Sequence, residues 1–103
     1  MPKFDLIIKD GHMIDPGRNI NKKIDIGIKG NKIVKNGKIN KSDAEKCIDA
    51  DGCIVTPGLI DLHAHVYYGD LVGIDPDVAG PKTGVTTIVD AGSAGAMNYK
   101  GFY

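Results

Sequence analysis

Apolar and polar positions along the first half of the chain follow a period of two. The run FDLIIK, from Phe4 to Lys9, is apolar and β-branched and predicts a strand. Asp10-Gly11 is a tight-turn pair, so the strand and His12-Met13-Ile14-Asp15 together predict a β-hairpin. Asp15-Pro16-Gly17 breaks the pattern. Ile24, Ile26 and Ile28 then alternate with Asp25, Gly27 and Lys29 as one buried face of a strand, which Gly30-Asn31 turns back into Lys32-Ile33-Val34. Residues 35–46, rich in Lys, Asn and Gly, predict an exposed turn or short helix. Cys47-Ile48-Asp49 and Cys53-Ile54-Val55, joined through Ala50-Asp51-Gly52, predict a third strand pair.

After Thr56-Pro57-Gly58 the pattern changes. Residues 59–66 (LIDLHAHV) form a longer apolar strand whose polar groups share one parity, as in a buried parallel strand. Residues 75–83 predict a short helix, capped by Asp75 with Pro76 at its first position, which Gly80-Pro81 would weaken or break. Residues 85–90 (VTTIVD) predict a second strand, ending in a Gly- and Ala-rich turn. Strand, helix and strand imply a parallel βαβ unit. The expected fold is therefore mixed, with an all-β segment over residues 1–56 and a βαβ segment over 57–103.

Charge sharpens this boundary. Residues 1–50 hold eleven Lys/Arg against seven acids, and residues 51–103 hold two lysines against six acids, within a formal net charge of zero. A neutral chain has no global field to recruit nucleic acid or an anionic membrane, and its aromatic residues are too few and scattered to stack bases. No apolar run approaches the roughly 20 residues that span a bilayer, and the start lacks a secretory layout, so a cytoplasmic location is expected. Cys47 and Cys53 are too few for a disulfide framework and predict two half-buried apolar positions.

The candidate chemistry lies in the 59–66 strand. Alternation sends Asp61, His63 and His65 to one face and Leu62, Ala64 and Val66 to the other. Two imidazoles about 7 Å apart at Cα can converge on one ion bound at roughly 2.0 to 2.1 Å. They can equally be hydrogen-bonded surface groups. Their place near the C-terminal end of a parallel strand, where barrel enzymes put catalysis, favours a site. His12, in the predicted hairpin, reads as an ordinary surface histidine.

The string VTPGLIDLHAH, Val55 to His65, resembles the opening signature of the amidohydrolase superfamily, and GVTTIVDAGSAGAMNYKGF, Gly84 to Phe102, resembles the second barrel strand and following loop of its dihydroorotase-like amidohydrolase/deacetylase branch. The resemblance implies an N-terminal β-sandwich segment followed by the first βαβ unit of an incomplete (β/α)8 barrel. It also implies one or two divalent ions, usually zinc, which activate water for attack on an amide or ester carbonyl. His63 and His65 correspond to the first two metal ligands. Asp61 corresponds to an acidic position that either hydrogen-bonds to a ligand or serves structure. Asp90 and Ser93 fall on the rim of the substrate pocket, although a tight strand-to-helix turn explains them as well. The implied substrate is a small acylated compound, for deacetylation, or a cyclic amide, as in dihydroorotase, and a homo-oligomer is compatible with the family.

The resemblance also implies ligands from later strands that this sequence does not contain: a barrel needs roughly 250 residues, and about 46 run from Gly58 onward. The chain is accordingly expected to be an N-terminal fragment, inactive alone. The alternative is a catalytically inert truncated product that at most binds metal weakly or associates with a partner chain.

Overall fold

The computed structural model describes residues 1–69 and 71–102. It is mostly β, with one α-helix, and separates into two units, Met1–Pro57 and Gly58 onward. Among the described residues no helix is long and apolar enough to cross a membrane.

The first unit contains β1 (Phe4–Lys9), β2 (His12–Asp15), β3 (Ile20–Lys23), β4 (Asp25–Lys29), β5 (Lys32–Gly37), β6 (Ala44–Asp49) and β7 (Ile54–Val55). They form a four-stranded sheet ordered β5-β4-β1-β6 and a three-stranded sheet ordered β3-β2-β7. Two expected hairpins are therefore absent. β1 pairs antiparallel with β4 and parallel with β6, while β2 pairs antiparallel with β3 and parallel with β7. Asp10-Gly11 and Ala50-Asp51-Gly52 do turn the chain, but each turn carries it from one sheet into the other. Sheets often make corners in this way, with strands that bend and switch partners.

The corner at Asp10 has a visible cause. Asp10 adopts a left-handed conformation with φ of 59°, which Asp tolerates better than most residues. Its N–H donates to Oδ1 of Asp25 at 3.0 Å. The other carboxylate oxygen of Asp25 accepts from Lys9 Nζ at 2.8 Å and from the Ile39 N–H at 2.8 Å. Asp25, only 4% exposed, thus joins β1, β4 and the segment after β5. The expected single buried face of β4 is corrected accordingly: Asp25, Ile26 and Gly27 are all buried, because Asp25 and Gly27, on the face opposite Ile26, are covered by Lys9, Phe4 and Ile39. At Gly27 a Cβ would lie 2.8 Å from the Phe4 ring, so glycine makes room for the core of Phe4, Ile7 and Ile39.

Residues 35–46 differ from the expected exposed turn or helix. β5 runs on to Gly37, Ile39 enters the core, only Lys41–Asp43 forms a 3-10 turn, and β6 starts at Ala44. Cys47 and Cys53 are exposed rather than half-buried. Cys47 lies on β6, an edge strand with a solvent-facing side.

The second unit contains β8 (Leu59–Ala64), α1 (Pro76–Lys82) and β9 (Val85–Asp90), with β8 and β9 parallel. Asp75 caps α1 by accepting from the Asp77 N–H, with Pro76 in its first turn. The helix passes through Gly80-Pro81 and ends one residue later, where Thr83 Oγ1 donates to the carbonyls of Ala79 and Gly80. Gly80 lets α1 approach β9, because a Cβ there would meet Ile88 and the Val85 carbonyl at 3.1 Å. The strand expected over 59–66 ends at Ala64 and is exposed rather than buried, with Leu62 at 74%. Two strands and one seven-residue helix cannot cover both faces of a parallel sheet.

Asp25 dictates a pH dependence. Burial alone would raise its carboxyl pKa, but Lys9 and the amides of Asp10 and Ile39 outweigh burial and hold it below the ordinary aspartate value. With the folded value depressed, the stabilisation is fully present above the unfolded value and is lost as pH falls through the folded one. Asp25→Ala is expected to destabilise the first unit by about 1 to 3 kcal/mol, since it removes the acceptor of two amides and of the half-buried Lys9 ammonium. Urea denaturation followed by circular dichroism checks this, and the deficit should shrink as the wild type is acidified.

Candidate functional site

The ladder of β8 and β9 is irregular where the histidines lie. Leu59 aligns with Val85 and Asp61 with Ile88, and the register then shifts before Ala64 meets Asp90. Such irregularities re-aim side chains. The His63 and His65 rings stand 5.7 Å apart between centroids at an interplanar angle of 82°. Both are exposed.

Two imidazoles bonded to one ion at about 2.0 to 2.1 Å and a tetrahedral angle have centroids roughly 5 Å apart, close to the separation of this pair. The pair does not complete a site: among the described residues no group of three or more His, Cys, Asp or Glu side chains is placed to hold a metal. Asp61, expected beside the histidines, spends Oδ1 on the backbone N–H of His63 at 3.0 Å. It shapes the strand at the first histidine. His12 lies in the other unit and pairs through Nε2 with Asn21 Oδ1 at 2.7 Å.

Past Ala64 the chain leaves the ladder, and other donors and acceptors fix it. The Ala64 carbonyl accepts from the Ala91 N–H at 2.7 Å, and the His65 carbonyl from the Ile74 N–H at 2.9 Å. The Val66 N–H donates to Asp90 Oδ1 at 3.0 Å, and the Tyr67 N–H to Ser93 Oγ at 3.2 Å. Asp90 Oδ2 accepts from the N–H groups of Gly92 at 3.1 Å and Ala94 at 2.9 Å, and the Ser93 hydroxyl donates to Oδ1. Asp90 and Ser93, expected on a pocket rim, thus turn their polar groups inward on the two loops, and Ser93 is buried. Gly73 allows the return of the first loop, because a Cβ there would lie 1.8 Å from the Tyr67 carbonyl oxygen. No sequence pattern singled out Ile74 or Ala91, since both contribute through the backbone.

A hollow of about 460 Å³ lies between α1 and β9, lined by Val66, Pro76, Gly80, Pro81, Val85 and Ile88 among others. Neither His63 nor His65 lines it.

No protein-family model matches the chain. A deacetylase of Enterococcus faecalis is 35% identical over 102 residues, which cover 97% of this chain and 26% of that protein. A dihydroorotase crystal structure superposes with a TM-score of 0.80 at 33% identity, over 94% of this chain and 26% of that one. This chain belongs to the amidohydrolase superfamily. The N-acyl-D-glutamate deacylase of Bordetella bronchiseptica, crystallised with zinc and a phosphonate mimic of the tetrahedral intermediate, matches with a TM-score of 0.66 at 33% identity, over 85% of this chain and 18% of that enzyme. The chain spans 12% to 26% of the length of the curated superfamily relatives named as deacetylases that it matches.

Asp90 is well suited to hold the loops across pH. The amide of Ala94, then the Ser93 hydroxyl and the amides of Val66 and Gly92, hold its carboxyl well below the usual aspartate range. Its stabilisation is therefore present above the unfolded aspartate value and lost only as pH falls through the lower folded one. In an acid titration followed by amide resonances, the Val66, Gly92 and Ala94 signals should hold their positions at pH values where exposed aspartates have already titrated.

Proposed function

We propose that this chain is the metal-histidine segment of a zinc-dependent hydrolase acting on amide or ester bonds, with His63 and His65 as two of the protein ligands. The observation that carries this is the pair of imidazoles, 5.7 Å apart, at the C-terminal end of a parallel strand. A divalent ion held there supplies Lewis acidity and an activated water for attack on a carbonyl. The chain's own part is to present two nitrogen donors, His63 on β8 and His65 just past its end. Asp61 sets the backbone at His63, and Asp90 and Ser93 order the loops beside His65. In this reading residues 1–56 are the sandwich segment, and residues 57–103 open a (β/α)8 barrel whose later strands supply the remaining ligands.

The substrate we favour is a small acylated compound, by deacetylation, in keeping with the names of the Enterococcus faecalis and Bordetella bronchiseptica relatives. Cyclic amide hydrolysis, which the dihydroorotase likeness favours, is the second choice. Because two ligands leave a four-coordinate ion half bound by protein, the 103-residue chain alone is expected to be inert toward both.

Elemental analysis of the chelator-treated and zinc-reconstituted chain tests the ligand assignment, with a His63→Ala/His65→Ala variant and an ester and N-acetyl hydrolysis screen run beside it. The expected result is weak, substoichiometric zinc that the double substitution removes, without turnover. Zinc uptake unchanged in the variant would sink the assignment of the two histidines, and turnover by the chain would sink its inertness.

A further inference from the structure

We propose that Asp90 and Ser93 are positioning residues for His65, holding its imidazole where it can share an ion with His63. The proposal rests on the metal-binding reading of the two histidines and adds what places the second of them.

His65 lies one residue beyond the last ladder residue of β8, so regular strand pairing does not fix its backbone. Three hydrogen bonds do. The peptide before His65 is held through the Ala64 carbonyl by the Ala91 N–H at 2.7 Å. The peptide after it is held on both sides, its carbonyl by the Ile74 N–H at 2.9 Å and its N–H by Asp90 Oδ1 at 3.0 Å. With both flanking peptide planes fixed, the Cα–Cβ direction of His65 is fixed as well, and only the side-chain torsions remain. Ser93 extends the hold by one residue through the Tyr67 N–H at 3.2 Å, and its hydroxyl turns back on Asp90. Asp90 is the common anchor. Its two oxygens bind the loop after β8 on one side and the loop after β9 on the other.

The geometry separates this role from ligation. Asp90 meets the chain beside His65 at a backbone N–H, and its remaining acceptor positions face Gly92, Ser93 and Ala94. Removing it would leave both imidazoles chemically intact and release the backbone that aims one of them. Groups that orient metal ligands without touching the metal typically contribute about 10- to 100-fold to affinity.

The test uses the 103-residue chain and cobalt(II) as the probe, with two readouts. One is metal-free: proton contacts between the His63 and His65 rings and protection of the Val66 amide, by NMR. The other is cobalt affinity, from the visible absorption of the bound ion. Asp90→Ala is expected to lose the ring contacts and the Val66 protection and to weaken cobalt binding about 10-fold or more. Asp90→Asn, which keeps an oxygen acceptor for Val66, should recover part of both. Ser93→Ala should act in the same direction with a smaller effect and serves if Asp90→Ala does not fold. Asp25→Ala, which weakens the other unit, should leave both readouts unchanged, separating aim from general stability. Ring contacts and cobalt affinity that survive both Asp90→Ala and Ser93→Ala would overturn the proposal. Absence of cobalt binding in the wild type would overturn the metal reading instead, and the ring contacts would still decide whether Asp90 aims His65.

Discussion

A carboxylate that collects backbone donors at a place where the chain leaves its ladder recurs in both units, and the rest of each unit is arranged around it. In the first, Asp25 accepts the Asp10 N–H at the corner where β1 becomes β2, and binds Lys9 and the Ile39 N–H with its other oxygen. In the second, Asp90 accepts from Val66, Gly92 and Ala94 where β8 and β9 run out into loops. An unpaired amide away from water costs about as much as a lost hydrogen bond, and one carboxylate can satisfy several. Neither bend could be kept by apolar packing alone, because packing does not supply acceptors.

This arrangement bears on where chemistry is possible. The β8–β9 pair exposes apolar side chains, and its helix is short, so little packing holds it. Order at the histidines comes from polar bonds instead, concentrated at the C-terminal ends of the two parallel strands. In open and closed parallel sheets this end is where ligands bind, because the loops there vary freely while the strands hold them. In this amidohydrolase-superfamily chain His63 stands on β8 and His65 just past its end, where hydrogen bonds to the loops take over from the ladder.

Elements were largely legible in the sequence, and their partners were not. FDLIIK, the isoleucine alternation and VTTIVD all mark strands, and Asp75-Pro76 marks a helix start. Period-two patterning says that a strand has faces, yet it does not say which strand lies beside it. Asp10-Gly11 and Asp51-Gly52 therefore read as hairpin turns when they are corners between sheets. Residues 35–46 were hidden by their lysines, since Ile39 is a lone apolar residue in a charged stretch and nothing local marks it as core. Strand alternation was enough to bring His63 and His65 forward as a pair, and their rings are neighbours, but the strand stops short of His65 and its hold on the loops was not legible. Nor was the inward use of Asp90 and Ser93, since it depends on amides up to 26 positions away in sequence.

The parallel pairings of the first unit also govern how it can form during synthesis. Phe4 of β1 aligns with Ala44 of β6, and His12 of β2 with Ile54 of β7, each about 40 residues further on. Antiparallel neighbours such as β4 and β5 can join as soon as both have left the ribosome, but β1 and β2 each keep one open edge until the end of the unit emerges. Closing such long loops must precede the contacts that reward it. β1 and β2, made before the strands they pair with, are thus among the last to acquire all their neighbours, and a nascent chain halted before Ala44 would hold two incomplete sheets.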